Sequence, residues 1–376
     1  MYKSIPKQLP IYTFFHSVFN FFIGILFLCF STACTKNTEE VPEDLADTDA
    51  FIRAVDISSY PEIAATGVPF YDRSGNQKEV LQILNEHGVN TIRLRLWVHP
   101  KNAHSGFDEV REFSKFVKSR GFKTWLSVHY SDTWADPGQQ ETPASWNQGS
   151  FEQVKDSVRL YTQKIVTALH PDYMQIGNEI NSGFLHPYGH ISAQYSQFIA
   201  LMNAATAVVR ENSSTTKIIV HYAGVEGASW FFEKVRSIDY DIIGLSYYPI
   251  WHGKSTLALQ TEMQNLSSSF EKKIVVAETA YPFTLDWNDW TTNIVGLEDQ
   301  LILPVYPATP NGQKNFIRQI KTITKNTDNG LGFCYWGGEL VAWKGEQARD
   351  ASPWENQALF DFNSKALPVL EVFNEE

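Results

Sequence analysis

The 376-residue sequence has only three cysteines and no concentrated run of basic residues. Cys29 and Cys34 belong to an apolar leader, so processing leaves Cys334 without a partner and excludes an intrachain disulfide. We interpret Cys334 as a small core residue. Acidic residues outnumber basic ones by 42 to 31, and a net charge of −11 argues against a nucleic-acid partner. No Gly-x-Gly-x-x-Gly loop follows the first predicted strand, which disfavours a dinucleotide-binding fold.

The first 34 residues have the layout of an export signal. Lys3 and Lys7 precede an apolar stretch over 11–30, and Ser31-Thr-Ala-Cys34 follows. The ending resembles a bacterial lipobox, although Ser31 replaces the usual Leu. We therefore predict a lipoprotein-type signal peptide over 1–33, lipidation at Cys34 and a flexible polar tether over 34–50. A transmembrane anchor is the alternative, because about 20 apolar residues can span a bilayer.

This leader predicts an exported protein, held at a bacterial outer membrane or cell surface through a lipid anchor alone. Secretion or a periplasmic location is the alternative.

Residues 51–376 predict a single (β/α)₈ barrel. Eight mostly continuous apolar runs alternate with segments of helical spacing, as expected for parallel strands covered by helices. The predicted strands are 52–57, 91–96, 123–129, 173–176, 218–221, 242–247, 274–277 and 332–336. The predicted helices are 77–86, 108–119, 151–169, 193–210, 228–236, 257–270 and 313–325.

Polar or aromatic residues stand where nearly every predicted strand ends, and this is the edge of such a barrel that carries chemistry. They are Asp56, Arg93, Arg95, His129, Asn178, Glu179, His221, Tyr247, Glu278 and Trp336. A purely structural barrel needs none of them. Aromatic residues, 14% of the chain, also recur in polar Gly/Pro-rich segments. Such residues suit the apolar faces of sugar rings.

Two glutamates at strand ends indicate hydrolysis of a glycosidic bond. Retention of configuration needs one carboxylate to attack the anomeric carbon and one carboxylic acid to protonate the leaving oxygen, about 5–5.5 Å apart. An arginine beneath the nucleophile would keep it ionised, and Arg93 is the first choice with Arg95 as the fallback. We expect Asn178 to bond the sugar 2-hydroxyl and Tyr247 to hold the second oxygen of the nucleophile.

Long consecutive motifs resemble glycoside hydrolase family 53, the endo-β-1,4-galactanases that cut galactan side chains of pectin. They run from about residue 51 to the C-terminus: Asp56-Ile-Ser-Ser-Tyr-Pro-Glu62, Thr91-Ile-Arg-Leu-Arg-Leu-Trp-Val98, His129-Tyr-Ser-Asp-Thr-Trp-Ala-Asp-Pro-Gly138, Gln175-Ile-Gly-Asn-Glu-Ile-Asn181, Gly244-Leu-Ser-Tyr-Tyr-Pro249, Glu278-Thr-Ala-Tyr-Pro282 and Ser352-Pro-Trp-Glu-Asn-Gln-Ala-Leu-Phe360.

The resemblance implies a retaining enzyme of the clan with glutamates after strands 4 and 7, with Glu179 as acid/base and Glu278 as nucleophile. It implies β-1,4-galactan and galacto-oligosaccharides as the ligands and no cofactor for catalysis. The substrate-binding residues it implies are Asp56, Arg93, Trp97, His129, Asp132, Trp134, Asn178, Asn181, Tyr247, Trp336 and Trp343. Trp354 is expected to pack beneath the closing helix.

Some members of that family hold a structural Ca²⁺ in the loop after the seventh strand. Asp286 and Asn288 alternate there as oxygen ligands could, with Asp289 and Asn293 as further candidates. A polar turn without metal is the alternative.

Two other functions remain open from the sequence. A related retaining endo-glycanase, such as a mannanase or cellulase, would share both glutamates. A surface glycan-binding lipoprotein would use the aromatics without the carboxylates.

Overall fold

A closed barrel of eight parallel strands forms the centre of the protein. The structure is a computed structural model that describes residues 50–147 and 149–375. The barrel strands are β1 Ile52–Asp56, β2 Thr91–Leu96, β3 Lys123–Val128, β4 Tyr173–Ile176, β5 Lys217–Ala223, β6 Ile242–Ser246, β7 Lys273–Thr279 and β8 Gly330–Tyr335. Each strand pairs with its neighbours in the sequence, and β8 closes onto β1. The predicted barrel is confirmed; the predicted leader and Cys34 lie outside the described residues.

Helices surround the barrel. They are α1 Tyr60–Ala65, α2 Val80–Glu86, α3 Phe107–Ser119, α4 Phe151–Leu169, α5 Tyr195–Asn212, α6 Ala228–Lys234, α7 Pro249–His252, α8 Thr256–Phe270, α9 Pro310–Lys325 and α10 Glu371–Asn374. The seven predicted helices have bounds close to the prediction, whereas α1, α7 and α10 are not predicted from the sequence. The longest, α4, begins where Ser150 and Gln153 satisfy each other's backbone N–H groups in a capping box. None of the helices in the described ranges has both the length and the apolar character needed to cross a bilayer.

Short elements complete the described chain. A two-stranded antiparallel ribbon, Gly183–Phe184 with Gly189–His190, follows β4. Single 3₁₀ turns cover Glu298–Gln300, Glu355–Gln357 and Pro368–Leu370.

The barrel interior changes from apolar at its floor to polar at its mouth. A small buried cluster inside the barrel includes Ala54, Trp125, Ile219, Ala277 and Cys334, so Cys334 is the core residue that the sequence predicts. A larger apolar cluster joins the outer faces of the strands to the helices. Because side chains alternate along a strand, the same strands place polar residues above the inner cluster.

Strand β7 contains a bulge next to its glutamate. Leu245 of β6 pairs with Val276, but the next residue, Ser246, pairs with Glu278, so Ala277 is an extra residue. Ala277 belongs to the interior cluster. In an unbroken strand the residue after an inward side chain points outward. The bulge therefore directs Glu278 into the barrel mouth as well.

Candidate active site

Glu278 is held by a cation and a phenol at the mouth of the barrel. Its Oε1 accepts a hydrogen bond from Arg93 Nη2 at 2.6 Å, and its Oε2 accepts one from the hydroxyl of Tyr248 at 3.1 Å. Burial raises the pKa of Glu278, while Arg93 and Tyr248 oppose that rise by stabilising the carboxylate. These contacts suit a group that reacts in its ionised form.

Arg93 joins several of the strand ends. Its guanidinium is fully buried and also donates to Asp56 Oδ2 at 2.7 Å and to Asn178 Oδ1 at 2.9 Å. Although burial alone would lower it, the carboxylates of Glu278 and Asp56 raise the pKa of Arg93. Arg93 is therefore a permanent cation beside the nucleophile, at the position predicted from the sequence.

Glu179 follows β4 with a left-handed backbone (φ 48°), a conformation that few non-glycine residues adopt. Its side chain is partly exposed to the cleft, and Oε1 accepts a hydrogen bond from Ser246 Oγ at 2.6 Å. Burial and then the charge of Glu278 raise the pKa of Glu179 to about 8. Glu179 consequently keeps its proton near neutral pH, as a general acid requires.

The separation of the two carboxyl groups indicates the stereochemical course. One oxygen of Glu179 and one of Glu278 lie within 4.8 Å of each other. This spacing leaves no room for a water molecule between the carboxylate and the anomeric carbon, as an inverting reaction would need at about 6.5–9.5 Å. The geometry is that of a retaining double displacement.

Tyr247, expected beside the nucleophile, lies elsewhere. Its hydroxyl donates to Gly253 O at 2.8 Å, and its ring stacks on Phe316 in the outer core. Tyr248 takes the expected role. The inward residues of β6 alternate as Gly244 and Ser246, so Tyr248 is the next inward position and Tyr247 points outward.

Two further expected substrate contacts are structural. Asp132 accepts hydrogen bonds from the backbone N–H groups of His99 and Ala144, both at 2.9 Å, and so ties two loop segments together. The amide of Asn181 exchanges two hydrogen bonds with the backbone of Ala223, at 2.8 and 2.9 Å. Neither residue is among those that line the cleft.

An aromatic cleft of about 750 Å³ lies above the two glutamates. The tryptophans that line it are Trp97, Trp134, Trp251, Trp336, Trp343 and Trp354. Trp354, expected to pack beneath the closing helix, also lines this cleft, and its ring centroid lies 4.6 Å from that of Trp336. The other residues expected at the site that line the cleft are Asp56, Arg93, His129, Asn178, Glu179 and Glu278.

Arg95 shapes one wall of this cleft. Its guanidinium lies over the rings of Trp134, at 4.0 Å, and Trp97, at 4.5 Å, and its Nε donates to Ser105 Oγ. Burial lowers the pKa of Arg95 to about 10, so it still carries its charge at neutral pH. His129 Nδ1 accepts from the backbone of Ala135 at 3.0 Å, and burial holds the pKa of His129 well below its usual range. Both side chains position aromatic and loop elements of the cleft.

Two other residues of the cleft, His252 and Glu339, are not predicted from the sequence. His252 accepts a hydrogen bond from Tyr248 N at Nδ1, and burial lowers its pKa to about 4. Glu339 accepts from Ser59 N at 2.7 Å, and burial followed by the charge of Asp56 raises its pKa to about 8. Neither follows an apolar strand, so only the folded loops bring them to the cleft.

Glu179, His221 and Glu278 are close enough to share a metal ion. However, Nδ1 of His221 faces the N–H groups of Gln175 and Glu179, and Nε2 faces Ser246 Oγ. Arg93 already supplies a positive charge next to Glu278. The donor set therefore fits two-carboxylate chemistry rather than cation binding.

Comparison with known proteins gives a consistent result. Residues 52–373 match the sequence profile of "Glycosyl hydrolase family 53". The chain is 31% identical to the arabinogalactan endo-β-1,4-galactanase of Cellvibrio japonicus, covering 88% of this chain and 92% of that protein. It is 30% identical to the endo-β-1,4-galactanase of Bacillus subtilis, covering 86% and 85%.

Solved structures of the same family superpose on this chain. The GH53 catalytic domain of Ignisphaera aggregans superposes with a TM-score of 0.81 at 37% identity, covering 86% of this chain and 95% of that one. A structure from a study of two fungal β-1,4-galactanases gives 0.74 at 27% identity, covering 87% and 100%. A GH113 β-1,4-mannanase, at 14% identity and a TM-score of 0.52, shares the fold.

Proposed function

Because the chain belongs to glycosyl hydrolase family 53, we propose that it is a retaining endo-hydrolase of β-1,4-galactan. The observation that carries the reaction type is the pair Glu179 and Glu278, within 4.8 Å of each other at the floor of an aromatic cleft. The two relatives named as galactanases support the substrate.

The site performs the reaction in two displacements. The carboxylate of Glu278 attacks the anomeric carbon while Glu179 gives its proton to the leaving glycosidic oxygen. The C–O bond breaks and a glycosyl ester forms on Glu278. In the second displacement, the ionised Glu179 takes a proton from a water molecule. The oxygen of that water attacks the anomeric carbon, and the ester bond to Glu278 breaks. Asn178 has one Nδ2 hydrogen bonded to Ala135 O at 2.9 Å and a second available to a sugar hydroxyl.

Product analysis over time on linear β-1,4-galactan tests this function. An endo-hydrolase should release a broad range of oligosaccharides early and reduce viscosity before much sugar is freed. Parallel reactions on mannan and carboxymethylcellulose, with Glu278→Gln as the inactive control, test the substrate class. Cleavage of mannan or cellulose without galactan would identify a related endo-glycanase. Binding of galactan without new reducing ends would identify a glycan-binding lipoprotein.

A structural Ca²⁺ in the loop after β7 is a second proposal. Buried oxygens of three side chains there have no hydrogen-bond partner within the described residues: Asp289 Oδ2, Asn293 Oδ1 and Glu355 Oε2. Glu355 Oε1 accepts from the backbone N–H groups of Asn288, at 2.7 Å, and Asp289, at 3.4 Å, so the segments adjoin. Buried carboxylates are stable only when paired or bound to a cation, and Ca²⁺ prefers such oxygen ligands.

This ligand set differs from the pair expected from the sequence. Asp286 is exposed and its Oδ2 accepts from Thr284 Oγ1 at 3.0 Å. The side-chain amide of Asn288 donates to Phe362 O at 3.4 Å. The alternation of Asp286 and Asn288 therefore follows a surface turn, while the buried unpaired oxygens come from later positions and from the segment after β8.

Melting curves test the calcium proposal without using activity. A ligand that binds only the folded state adds about 2.7 kcal/mol at a hundredfold excess over Kd. We expect chelation to lower the Tm of calcium-loaded protein by several degrees. Asp289→Asn should abolish that response, and the matched control Asp286→Asn should retain it. An identical Tm with calcium and with chelator would eliminate the site.

For location, we propose an exported lipoprotein anchored through Cys34. The proposal rests on the charged start, apolar stretch and small residues before Cys34 in the sequence. Cys34→Ser should prevent lipid labelling and move the protein from the membrane fraction to the soluble fraction, with unchanged activity. Native protein cut at another position and recovered without lipid would contradict the proposal.

A further inference from the structure

Ser246 contacts the acid/base glutamate but has no part in the two displacements. It ends β6, is fully buried, and places its Oγ 2.6 Å from Glu179 Oε1. Within the part of the chain that the structure describes, the other polar side-chain group at Oγ is His221 Nε2, at 2.8 Å. Since a hydroxyl has a single proton, the direction of that proton depends on which nitrogen of His221 carries hydrogen.

Neighbouring groups that can only donate hydrogen bonds determine which nitrogen of His221 carries the hydrogen. Gln175 Oε1 accepts from Trp125 Nε1 and from Arg93 Nη2, both at 3.2 Å. These two groups are donors without acceptor capacity, so they fix which end of the Gln175 amide is oxygen. The Nε2 end then faces His221 Nδ1 at 3.0 Å, and the backbone N–H of Glu179 faces the same nitrogen at 3.3 Å.

His221 Nδ1 is therefore an acceptor. Asn178 Oδ1 also lies 3.2 Å from it, but that oxygen already accepts from Arg93 Nη2 and Gln175 Nε2, each at 2.9 Å. Burial and then the charge of Arg93 hold the pKa of His221 well below its usual range, so the ring is neutral and has one N–H. That hydrogen is on Nε2 and is donated to Ser246 Oγ.

We propose that Ser246 is a positioning residue, which directs its only proton to Glu179 Oε1 and thereby confines the catalytic proton to Oε2. A proton on Oε1 would leave the Ser246 hydroxyl hydrogen without an acceptor among residues 50–147 and 149–375, because His221 already donates to Oγ. Glu179 Oε2 receives no hydrogen bond from those residues. The orientation set by His221 thus selects the oxygen that delivers the proton.

The same hydrogen bond limits the pKa of Glu179. An O–H donor stabilises the ionised carboxylate and opposes the rise that burial causes. Without the donor, the pKa of Glu179 should rise further. Since kcat/KM on polysaccharide needs the protonated form, its alkaline limb reports this pKa.

The test compares pH profiles of kcat/KM for wild type, Ser246→Ala and Ser246→Thr. For Ser246→Ala we expect the alkaline limb to move up by about one pH unit, the scale of one lost hydrogen bond to a charged group. We expect the rate at the optimum to fall about tenfold, and Ser246→Thr to restore the wild-type limb. Ser267→Ala removes another buried serine hydroxyl, on α8, and serves as the matched control with no shift.

A loss of rate at every pH without movement of the limb would overturn the proposal, since that result describes packing alone. A downward shift would overturn it too. The role of Ser246 rests on Glu179 being the acid/base of the proposed function, but different results would contradict the role of Ser246 and the proposed substrate. An enzyme inactive on galactan but active on another β-glycan contradicts the proposed substrate and still allows the Ser246 comparison on that glycan.

Discussion

The Arg93 guanidinium lies 2.6 Å from Glu278 Oε1 and 2.7 Å from Asp56 Oδ2, so one buried cation compensates two carboxylates. The nucleophile can therefore remain ionised where burial alone would favour its neutral form. No cation of residues 50–147 or 149–375 contacts Glu179, which keeps its proton. The two glutamates, with oxygens within 4.8 Å of each other, thus differ in protonation because their neighbours differ.

Glutamine substitutions should separate the two roles. Glu278→Gln should lower kcat by at least about 10⁴-fold on every substrate while preserving oligosaccharide binding, because the amide cannot attack. Glu179→Gln should be severely impaired on galactan but much less on an accepted aryl galactoside, whose leaving group needs little protonation. Steady-state kinetics on both substrates provide the comparison, and equal impairment of the two variants on the aryl galactoside would reverse or remove the assignment.

The first product should have the β configuration. Attack by Glu278 and then by water inverts the anomeric carbon twice. Proton NMR of early reaction mixtures should show the β-anomer first and the α-anomer only through mutarotation. Initial appearance of the α-anomer would mean that Glu278 activates water instead of attacking carbon.

The pH dependence of kcat/KM should have an alkaline limb near pH 8, where Glu179 loses its proton. Removing the charge of Glu278 should lower the pKa of Glu179, because that charge is one cause of its rise. Titration of Glu179 by carboxyl-labelled NMR in the Glu278→Gln variant measures this directly. An unchanged pKa would show that burial alone raises it.

Glu179→Gln should stabilise the fold at neutral pH. An acid with a raised pKa binds its proton more strongly when folded, so the free energy of unfolding falls as pH increases from about 4.5 to about 8. Within that window the free energy of unfolding falls by about 1.4 kcal/mol for each pH unit. The variant should melt several degrees above wild type at pH 7 and show little difference at pH 4. A gain that is equal at both pH values would have another origin.

The two adjacent tyrosines should behave differently. Tyr248→Phe removes the hydroxyl that donates to Glu278 and should lower kcat by roughly 10- to 100-fold, with a small effect on Tm. Tyr247→Phe loses only the bond to Gly253 O and should lower stability by about 1 kcal/mol while activity remains near wild type. Kinetics and melting curves on the pair distinguish these outcomes, and the opposite pattern would return the catalytic role to Tyr247.

The sequence predicts the barrel well because its signal is repeated eight times. Continuous apolar runs locate each strand within a few residues, and the strand-end rule brings Glu179, Arg93 and His129 to one cleft. The same rule fails for side chains that serve backbone groups. Asp132 and Asn181 have the residue types of sugar ligands, but only the folded loops show that His99, Ala144 and Ala223 use their polar atoms.

Misplacements of one residue have a simpler cause. Tyr247 and Tyr248 are identical in type, and only the alternation along β6 distinguishes them. The calcium loop is harder to predict, because Glu355 lies 66 residues after Asp289 and no local spacing links them. Burial and unpaired oxygens, which identify that cluster, are properties of the folded chain.

The extra residue Ala277 makes the function of β7 depend on how this strand pairs with β6. If all residues of β7 paired regularly with β6, Ala277 would lie opposite Ser246 and Glu278 opposite the outward-facing Tyr247. The carboxylate would then turn toward the surrounding helices, with the composition of the strand unchanged. Transfer of this catalytic centre to another barrel therefore requires copying the irregular pairing along with the side chains, since the glutamate alone does not specify which way it faces.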